Sequence, residues 1–473
     1  MIKSIKKKKF GGSTMEYRIQ KDSLGEVKVP VEAYYGAQTQ RAVENFPISG
    51  LRLPRRFIRA QGLIKYAAAY ANKKVGLLEE KQADAIMQAA NEVIEGKWDS
   101  QFVVDVYQAG AGTSQNMNAN EVIANRAIEL LGGKIGDTSI VHPNDHVNMA
   151  QSTNDTIHVA INIAATEAVT HDLFPILDEL IATLDQKGKD FYHIIKSGRT
   201  HLQDAVPMRL GQEFYGYRET IVEAKKTIQE SQDLLLQIGL GGNAVGTGIN
   251  AHPDYAKLAI VKIAELTGLP FRESNQRFMF MQNTQGAIKL SGALKNLAIH
   301  LIKIASDLRL LSSGPRTGFA EITLPPVQPG SSIMPGKVNP VMAEMMNMIG
   351  SQVIGNDATI TSAGQASQLE LNVMMPVIGY NLLHSIQILT NGIKVFNDRS
   401  VKGIVANEER CAELMERSLA LATALNPAIG YDKAAEVSKK AYATGKTVRE
   451  VVKETGLLTD EEIDRYLDVS KMV

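Results

Sequence analysis

The sequence is poor in the features that support disulfide frameworks, charge-driven binding or membrane insertion. A single cysteine, Cys411, stands among 473 residues, so no intrachain disulfide can form. Lysine plus arginine and aspartate plus glutamate both number 51, so no net charge draws the chain to nucleic acid or to an anionic membrane. No segment approaches the roughly 18 uninterrupted apolar residues of a membrane span. These absences favour a reducing compartment, and we predict the cytoplasm.

Aromatic residues are also scarce, at 6% of the chain, whereas Ala, Leu, Ile and Met are frequent. This composition favours helix over sheet. Lysines stand at position 3 and at positions 6–9, but no apolar region follows them. We therefore predict a disordered basic arm over residues 1–14 rather than a secretory signal.

Apolar periodicity indicates the fold class. From Leu290 to Leu311, apolar residues recur at steps of three and four, which is typical of a helix packed in a bundle. Comparable stripes predict further long helices over residues 155–194, 217–238 and 368–395. Pro376 lies inside the last of these and predicts a kink. Shorter helices are predicted over residues 60–74, 80–96, 407–425, 433–444 and 460–469. The fold class we predict is therefore all-α.

The change in helix length along the chain suggests three domains. We predict a mixed, mostly helical domain over residues 1–152, a central domain of long helices over 153–407 and a small helical domain over 408–473. Cys411 falls in a charged helical stretch of the last domain, where no feature indicates a reactive thiol.

The segment Gly330–Pro340 is the densest group of polar atoms on an irregular stretch of the chain. It reads Gly-Ser-Ser-Ile-Met-Pro-Gly-Lys-Val-Asn-Pro. Glycines allow close approach of the backbone to a ligand, and prolines stiffen the bends between them. The segment therefore predicts a loop that binds a small anion.

Three other polar segments are candidates for the same site. They are Gly110–Asn118, Gln151–Asp155 and Gly198–Asp204, the last of which contains His201. Gln151–Asp155 precedes a predicted helix, so its polar side chains have an alternative explanation as an N-cap. The two interpretations are compatible, because a helix start also attracts anions. Ser313–Arg316 is interpreted as the end of the Leu290 helix.

Two glycine-rich segments imitate nucleotide-binding motifs. Five residues separate Gly330 from Gly336, and Val338 follows Lys337 where a phosphate-binding loop needs a hydroxyl. Gly239–Ala244 matches the spacing of a dinucleotide fingerprint, but a helical stripe precedes it rather than a strand. We interpret Gly239–Ala244 as a turn that ends a helix.

As an ordered set, these segments resemble the motifs of the aspartase/fumarase superfamily. The resemblance extends from about Tyr17 to the C-terminus. It implies a three-domain, all-α fold whose long helical bundle forms the core of a homotetramer, with each active site shared between three subunits. It also implies a small dicarboxylate substrate and no cofactor. From the residues themselves, we predict no metal site, because no histidine–carboxylate group has ligand spacing.

Several residues resemble aspartases more than class II fumarases. Thr153 stands where fumarases usually have serine, and Ala111 stands between two glycines where fumarases favour serine. Tyr35 and the segment Val341–Glu344 also depart from the fumarase pattern. The expected activity is therefore that of an L-aspartate ammonia-lyase. Fumarate hydratase is the alternative, and a non-catalytic helical assembly protein of the same superfamily is the lesser one.

The resemblance also implies roles for individual residues. Ser331 is the expected general base, with Lys337 and His201 as the other catalytic residues. The expected substrate-binding residues are Thr113, Ser152, Thr153, Asn154, Thr200, Ser332 and Asn339. Asp204 is an expected supporting residue.

The residues after Asp155 depart from the family pattern. His158 stands where the family usually has proline, and Ala150 stands where serine is common. We interpret His158 as a residue of the helix surface or of an interface, with contact to the substrate as the lesser alternative.

Overall fold

The computed structural model describes residues 8–10 and 13–473. Helices dominate this part of the chain, and the predicted all-α fold is confirmed. The α-helices are α1 Ala37–Asn45, α2 Arg55–Lys74, α3 Glu80–Ile94, α4 Thr113–Leu130, α5 Thr153–Glu167, α6 Phe174–Asp190, α7 Leu210–Ser231, α8 Tyr255–Thr267, α9 Arg277–Gln282, α10 Gln285–Leu311, α11 Val341–Gln365, α12 Met375–Arg399, α13 Glu408–Arg417, α14 Asn426–Ile429, α15 Tyr431–Thr444, α16 Val448–Thr455 and α17 Asp460–Tyr466.

The strands are short and pair two by two. They are β1 Lys8–Phe10, β2 Ser13–Met15, β3 Tyr17–Asp22, β4 Gly25–Pro30, β5 Ile195–Thr200, β6 Gln203–Arg209, β7 Gln237–Ile238, β8 Arg272–Glu273, β9 Ile322–Thr323 and β10 Val405–Ala406. In the part of the chain that the structure describes, four of the five strand pairs are antiparallel, and β7 with β8 is parallel. Most of the predicted disordered arm lies outside the described residues, and within them β1 pairs with β2.

The chain forms two compact units, each built from several segments. The first unit contains the described residues up to Phe174, together with Lys226–Asn296 and Ser351–Leu389. The second unit contains Pro175–Lys225, Leu297–Gly350 and Thr390–Val473. The division into domains 1–152, 153–407 and 408–473 stays a prediction.

Small and branched side chains form the core of the first unit between α2, α3 and α4. Its buried members include Ile58, Ala83, Ile86, Ala89, Ala90, Val93, Ala119, Val122, Ile123, Ala127 and Ile128. Gly62 on α2 lies so close to α3 that an added Cβ would be 2.9 Å from Ile94 and 3.1 Å from the carbonyl oxygen of Ala90. Glycine and alanine therefore set a close helix crossing, and the apolar area buried there stabilises the unit.

The second unit ends in a small helical core. Its buried residues are Met415, Leu421, Ala422, Leu425, Ala434, Val437, Ala441, Val448, Val451, Val452, Ile463 and Leu467. Capping boxes begin the last two α-helices, with Thr447 and Thr459 as N-caps. These caps satisfy backbone N–H groups that have no partner within the helix.

The predicted helices are confirmed in type and corrected in detail. The Leu290 stripe lies on α10, which ends before Ser313 as predicted. The predicted helix over 368–395 instead begins at Met375, so the predicted start and the kink at Pro376 are wrong. Pro376 lies in the first turn of α12, where a backbone N–H has no helical partner and a proline does no harm. The helix predicted over 155–194 is divided into α5 and α6 by the π-helical turn Ala168–Leu173.

None of the helices in the described residues is both long enough and apolar enough to cross a membrane.

Candidate functional site

The first glycine-rich motif forms a sharp turn into α4. Ala111 and Gly112 both have positive φ, at 60° and 86°. The backbone N–H of Ala111 donates to the carbonyl oxygen of Val373 at 2.8 Å, which holds the turn. An added Cβ on Gly112 would lie 3.0 Å from Ile157 of α5, so only glycine permits this approach. Thr113 is consequently exposed at the first position of α4, where the positive end of the helix dipole favours an anion.

The second motif forms the start of α5. Ser152 is the N-cap, and its hydroxyl accepts a hydrogen bond from the backbone N–H of Asn154 at 3.2 Å. Asp155 completes a capping box by accepting from the backbone N–H of Ser152 at 2.9 Å. The predicted capping role is confirmed, and Thr153 is left at the first position of α5. This is a second helix start at which hydroxyl and N–H groups gather.

Asn116 connects the two helix starts. Its side-chain nitrogen donates to the hydroxyl oxygen of Thr153 at 3.2 Å, and its side-chain oxygen accepts from the ammonium of Lys65 at 2.8 Å. Lys65 also donates to the side-chain oxygens of Asn148 at 3.0 Å and Gln151 at 2.9 Å. A single buried lysine therefore ties α2 to both polar motifs.

Two buried ionisable groups lie behind these hydroxyls. Lys65 is 1% exposed, and burial lowers the pKa of its ammonium to about 7, against the opposing effect of the negative charge of Asp155. Asp155 is completely buried, and burial raises the pKa of its carboxyl to about 6, although three backbone N–H groups favour the ionised form. Desolvation dominates both shifts because water is excluded from each group.

The segment Gly239–Ala244, which imitates a dinucleotide fingerprint, supports α5. Asp155 accepts from the backbone N–H groups of Gly241 at 2.9 Å and Asn243 at 3.0 Å. The side chain of Asn154 donates to the carbonyl oxygen of Ala244 at 2.8 Å. The segment follows the two-residue strand β7, whereas α7 already ends at Ser231, so the predicted helix over 217–238 is too long and the interpretation of the segment as a helix end is wrong. The segment opens no helix directly, so a glycine-rich turn remains the correct description. The backbone N–H groups of Gly241 and Asn243 donate to Asp155 and are therefore not available to a ligand.

The predicted surface position of His158 is wrong. His158 is 3% exposed in the interior of the first unit, and neither of its ring nitrogens has a hydrogen-bond partner among the described residues. It stacks on Phe280 at 6.3 Å between ring centroids. Burial lowers the pKa of its imidazole to about 4, so the ring is neutral near pH 7. The apolar pattern did not reveal the burial of His158 because α5 is buried on almost every side.

In the second unit, Thr200 and His201 lie at the tip of a β-hairpin. Thr200 pairs with Gln203, so His201 and Leu202 alone form the turn between β5 and β6. Both have positive φ, at 56° and 59°, as a type I′ turn requires. Neither residue is the glycine or asparagine that such a turn prefers, so the tip carries backbone strain. The turn leaves the side chains of Thr200 and His201 exposed.

A cluster of buried charged side chains anchors strand β5 of the hairpin. Glu321 is completely buried and accepts from the guanidinium of Arg199 through two hydrogen bonds of 3.0 Å. The ammonium of Lys196 lies 3.0 Å from the same carboxylate and 2.7 Å from that of Glu213. Both cations belong to β5, so the cluster fixes the strand that presents His201. Breaking such a buried pair is costly.

Cys411 lies near this cluster and is inert as a nucleophile. Its thiol is buried, and burial together with the negative charge of Glu321 raises its pKa to about 12. A thiol in this environment is protonated near pH 7, which agrees with the interpretation that it has no catalytic role.

The loop Gly330–Pro340 closes on itself. The backbone N–H of Gly330 donates to the carbonyl oxygen of Lys337 at 2.8 Å, and the Asn339 side chain donates to the carbonyl oxygen of Gly330 at 2.6 Å. The hydroxyl of Ser331 accepts from the backbone N–H groups of Ile333 at 3.2 Å and Met334 at 2.9 Å. Two such donors favour a negatively charged oxygen over a neutral one.

The predicted site residues are therefore divided between the units. The first unit brings together Thr113, Ser152, Thr153 and Asn154 at two connected helix starts. The second unit holds Thr200 and His201 on the hairpin, and Ser331, Ser332, Lys337 and Asn339 on the loop. Ser332 and Lys337 are exposed, whereas Ser331 and Asn339 are half-buried. Asp204 accepts a long hydrogen bond from the backbone N–H of Leu419 at 3.4 Å, which suits a supporting residue.

Our sequence reasoning missed Lys65. The signal was present, because Lys65 is a lone charge in the apolar helical stretch Ala60–Ala71. A lysine at a core position of a helix needs hydrogen-bond partners from elsewhere in the chain. Periodicity alone does not identify these partners, since they come from residues 116, 148 and 151.

Within residues 8–10 and 13–473, no three histidine, cysteine, aspartate or glutamate side chains are grouped so that they could hold a metal ion.

Comparison with known proteins identifies the family. Residues 25–355 match a family model described as Lyase, and residues 421–473 match one described as Fumarase C C-terminus. A class II fumarate hydratase of Halobacterium salinarum is 52% identical over 457 residues, which cover 97% of this chain and 97% of that protein. An aspartate ammonia-lyase of Bacillus subtilis is 49% identical over 457 residues, which cover 97% and 96%.

Solved structures agree with this result. The crystal structure of a fumarate lyase:delta crystallin from Brucella melitensis bound to cobalt matches with a TM-score of 0.93 and 47% identity, over 96% of this chain and 99% of that one. A class II fumarase from Schistosoma mansoni has the same TM-score of 0.93 at 38% identity, with coverage of 96% and 99%. The fold and these matches define a helical lyase. The chain belongs to the aspartase/fumarase superfamily.

Proposed function

We propose that this lyase is an L-aspartate ammonia-lyase, which eliminates ammonia from L-aspartate to give fumarate and runs in both directions. The observation that carries the proposal is the pair of connected helix starts in the first unit. They gather the hydroxyls of Thr113, Ser152 and Thr153 at the positive ends of two helix dipoles, which suits a carboxylate that acquires extra negative charge.

The first chemical step is removal of a proton from the carbon beside the distal carboxylate. The oxygen of Ser331 takes this proton, and the electron pair moves into the carboxylate to give an aci-carboxylate. The two backbone N–H groups that donate to Ser331 support the role, because a serine must be activated before it can act as a base. Lys337, six positions further along the same loop, adds a positive charge.

The second step expels the nitrogen. The electron pair returns to form the carbon–carbon double bond of fumarate while the carbon–nitrogen bond breaks. Neutral donors at Thr113, Ser152, Thr153 and Asn154 hold the aci-carboxylate without forming a permanent ion pair. Thr200, Ser332, Lys337 and Asn339 bind the remaining carboxylate, and His201 lies beside the leaving nitrogen.

The complete site requires several protomers in this proposal. The chain forms a homotetramer with its long helices as the core, and three subunits contribute to each site. Closed symmetry of this kind is common among helical oligomers. It would explain why binding residues and the base belong to different compact units of the chain.

Fumarate hydratase is the second candidate. The 52% identity to the fumarate hydratase of Halobacterium salinarum favours it. Against it, Ala111 is buried and supplies no hydroxyl between the two glycines of the first motif. Hydroxide is a poorer leaving group than ammonia and needs more help from proton donors. A missing hydroxyl in this turn therefore favours the amino acid substrate.

The deciding experiment supplies L-aspartate and L-malate to the purified protein in separate reactions and follows the ultraviolet absorbance of fumarate. We expect fumarate from aspartate at a much higher rate than from malate. The reverse preference would make the protein a fumarate hydratase. Absence of fumarate from both, in a protein that is folded and tetrameric, would support the non-catalytic assembly protein instead.

A further inference from the structure

Lys65 is an unusual group to find beside an anion site. Its side chain is completely enclosed, and its three hydrogen bonds all go to neutral amide oxygens, those of Asn116, Asn148 and Gln151. Lys196 in the second unit is equally buried but forms ion pairs with Glu213 and Glu321. A lysine kept only for packing is normally neutralised in this way.

Asp155 does not neutralise Lys65 directly. The carboxylate oxygens of Asp155 accept from the backbone N–H groups of Ser152, Gly241 and Asn243. Among the described residues, no carboxylate lies within ion-pair distance of Lys65. Lys65 therefore acts on its surroundings mainly through the three amide groups to which it donates hydrogen bonds.

Lys65 decides which way the Asn116 amide faces. The ammonium has only donors, so it requires the Asn116 oxygen on its side at 2.8 Å. The Asn116 nitrogen must then face the other way, toward the hydroxyl oxygen of Thr153 and the side-chain oxygen of Asn148, both at 3.2 Å. A flipped amide would place its NH₂ group against the ammonium, which is unfavourable.

The orientation of Asn116 in turn decides the direction of the Thr153 hydroxyl. Since Thr153 receives a hydrogen bond on its oxygen, its own hydrogen points away from Asn116. Thr153 is the first residue of α5 and is only half-buried, so this hydrogen faces the region where the helix start favours an anion.

We propose that Lys65 is a positioning residue for the dicarboxylate. It fixes the Asn116 amide so that the Thr153 hydroxyl donates to a bound carboxylate. The inference rests on the proposed function in one respect, namely that Thr153 binds a carboxylate of the substrate. It adds a residue that no motif of the sequence indicates.

The first test is a double-mutant cycle read out by the binding of succinate, a dicarboxylate that carries no group to eliminate. Thr153→Val removes the hydroxyl and keeps the side-chain shape, and Lys65→Met removes the charge and keeps the length. We expect each variant to weaken succinate binding about tenfold, the usual cost of one lost hydrogen bond to a charged group. The double variant should also bind succinate only about tenfold more weakly than the wild type, because both changes remove the same hydrogen bond, the one from the Thr153 hydroxyl to the bound carboxylate. Losses that multiply to about a hundredfold would overturn the proposal.

Asn116→Asp separates positioning from a purely structural role. A carboxylate at this position keeps an oxygen against Lys65 and gains an ion pair, which offsets the loss of the hydrogen bond that the Asn116 nitrogen donates to Asn148 at 3.2 Å, so the fold should be about as stable as in the wild type. The other carboxylate oxygen would accept the Thr153 hydrogen and turn it away from the substrate. We expect an unchanged thermal midpoint together with succinate binding at least about tenfold weaker. Normal binding in this folded variant would overturn the proposal, and the result decides the matter even if Lys65→Met does not fold.

Lys74→Met is the matched control, since Lys74 lies on the same helix but is exposed. It should bind succinate as the wild type does. The binding measurements test the role of Lys65 independently of the ammonia-lyase activity. If the protein converts neither aspartate nor malate but the Lys65 and Thr153 effects on succinate binding are not additive, the role of Lys65 is supported and the proposed function is not. If the enzyme is active but the two effects are independent, the role of Lys65 is refuted and the proposed function is not affected.

Discussion

The two compact units hold their predicted site residues in different ways. In the first unit, Thr113 and Thr153 begin helices, and a buried network around Lys65 and Asp155 supports them. In the second unit, His201 lies on an exposed two-residue turn, and Ser331 lies on a loop whose Ile333 is 84% exposed. In the first unit, the groups proposed to bind the reacting carboxylate are built on helix starts. In the second unit, the proposed base and the groups proposed to bind the other carboxylate lie on a loop and at a hairpin tip.

This difference has a physical explanation. Electrostatic stabilisation of a developing charge works best when the donors do not reorganise during the reaction, which favours helix starts with buried support. A base must reach the substrate and then release its proton, which suits a segment that is accessible to solvent. Mutations at the proposed site residues of the first unit should therefore change mainly the stability of the protein and its affinity for the substrate. Mutations at those of the second unit should change mainly the turnover rate.

The largest expected effect concerns the loop. Ser331→Ala should lower turnover at least about a thousandfold while the thermal midpoint and the oligomeric state stay unchanged, because the change removes the proposed general base from an exposed segment. Steady-state kinetics and size-exclusion chromatography measure the two properties. Ser470→Ala, which changes another exposed serine of the second unit, is the control and should keep normal rates. Substantial activity in Ser331→Ala would show that another group is the base.

A second effect concerns Asp155 in the first unit. The pKa of about 6 in the folded protein lies above the ordinary aspartate value of 3.8, so the folded protein binds more protons than the unfolded chain between these two pH values. Stability contributed by this group should thus fall as pH rises from about 4 to 6, by about 3 kcal/mol at 1.36 kcal/mol per unit, and stay level above. Asp155→Asn should lack this decline, although it is less stable overall because it loses an acceptor of buried N–H groups. Denaturant midpoints at several pH values measure the difference. An identical pH profile in both proteins would contradict the assignment.

A smaller effect should distinguish substrates. Ala111→Ser restores the hydroxyl that fumarases favour between the two glycines, and we expect the ratio of kcat/KM for malate to that for aspartate to rise about tenfold. The measurement is the fumarate assay with both substrates. Ser139→Ala, an exposed change elsewhere in the first unit, is the control. An unchanged ratio in a correctly folded variant would mean that the turn does not select the leaving group.

The smallest expected effect concerns strain at the hairpin tip. Leu202 has a φ of 59°, which costs a non-glycine residue about 1 kcal/mol. Leu202→Gly should relieve that cost and raise the thermal midpoint slightly, while Leu202→Val, a β-branched residue, should lower it. Differential scanning calorimetry compares the two variants. A lower midpoint for the glycine variant would mean that contacts of the leucine side chain outweigh the backbone strain.

Much of the fold was predictable because helix periodicity and capping are local. The stripe from Leu290 to Leu311 and the capping cluster before α5 were both confirmed. The errors have local causes as well. Pro376 was interpreted as a kink because sequence does not distinguish a proline in the first turn from one in the interior. His158 was placed on a surface because a helix buried on nearly all sides has no polar face to reveal it.

The candidate site divides in the same way. Motif order along the chain identified Thr153, His201 and Ser331 as candidates and indicated the superfamily, which the comparisons then confirmed. Neither the positive φ of His201 nor the hairpin that requires it was foreseen, since that turn contains no glycine or asparagine.

The order of residues alone determined the helical class, the caps and the polar motifs, because each depends on neighbours within a few turns of chain. Tertiary structure alone decided that Lys65 meets Asn116, 51 positions away, and Gln151, 86 positions away. A buried ammonium must find its acceptors wherever helix packing brings them, and the sequence near a lysine contains no record of that packing.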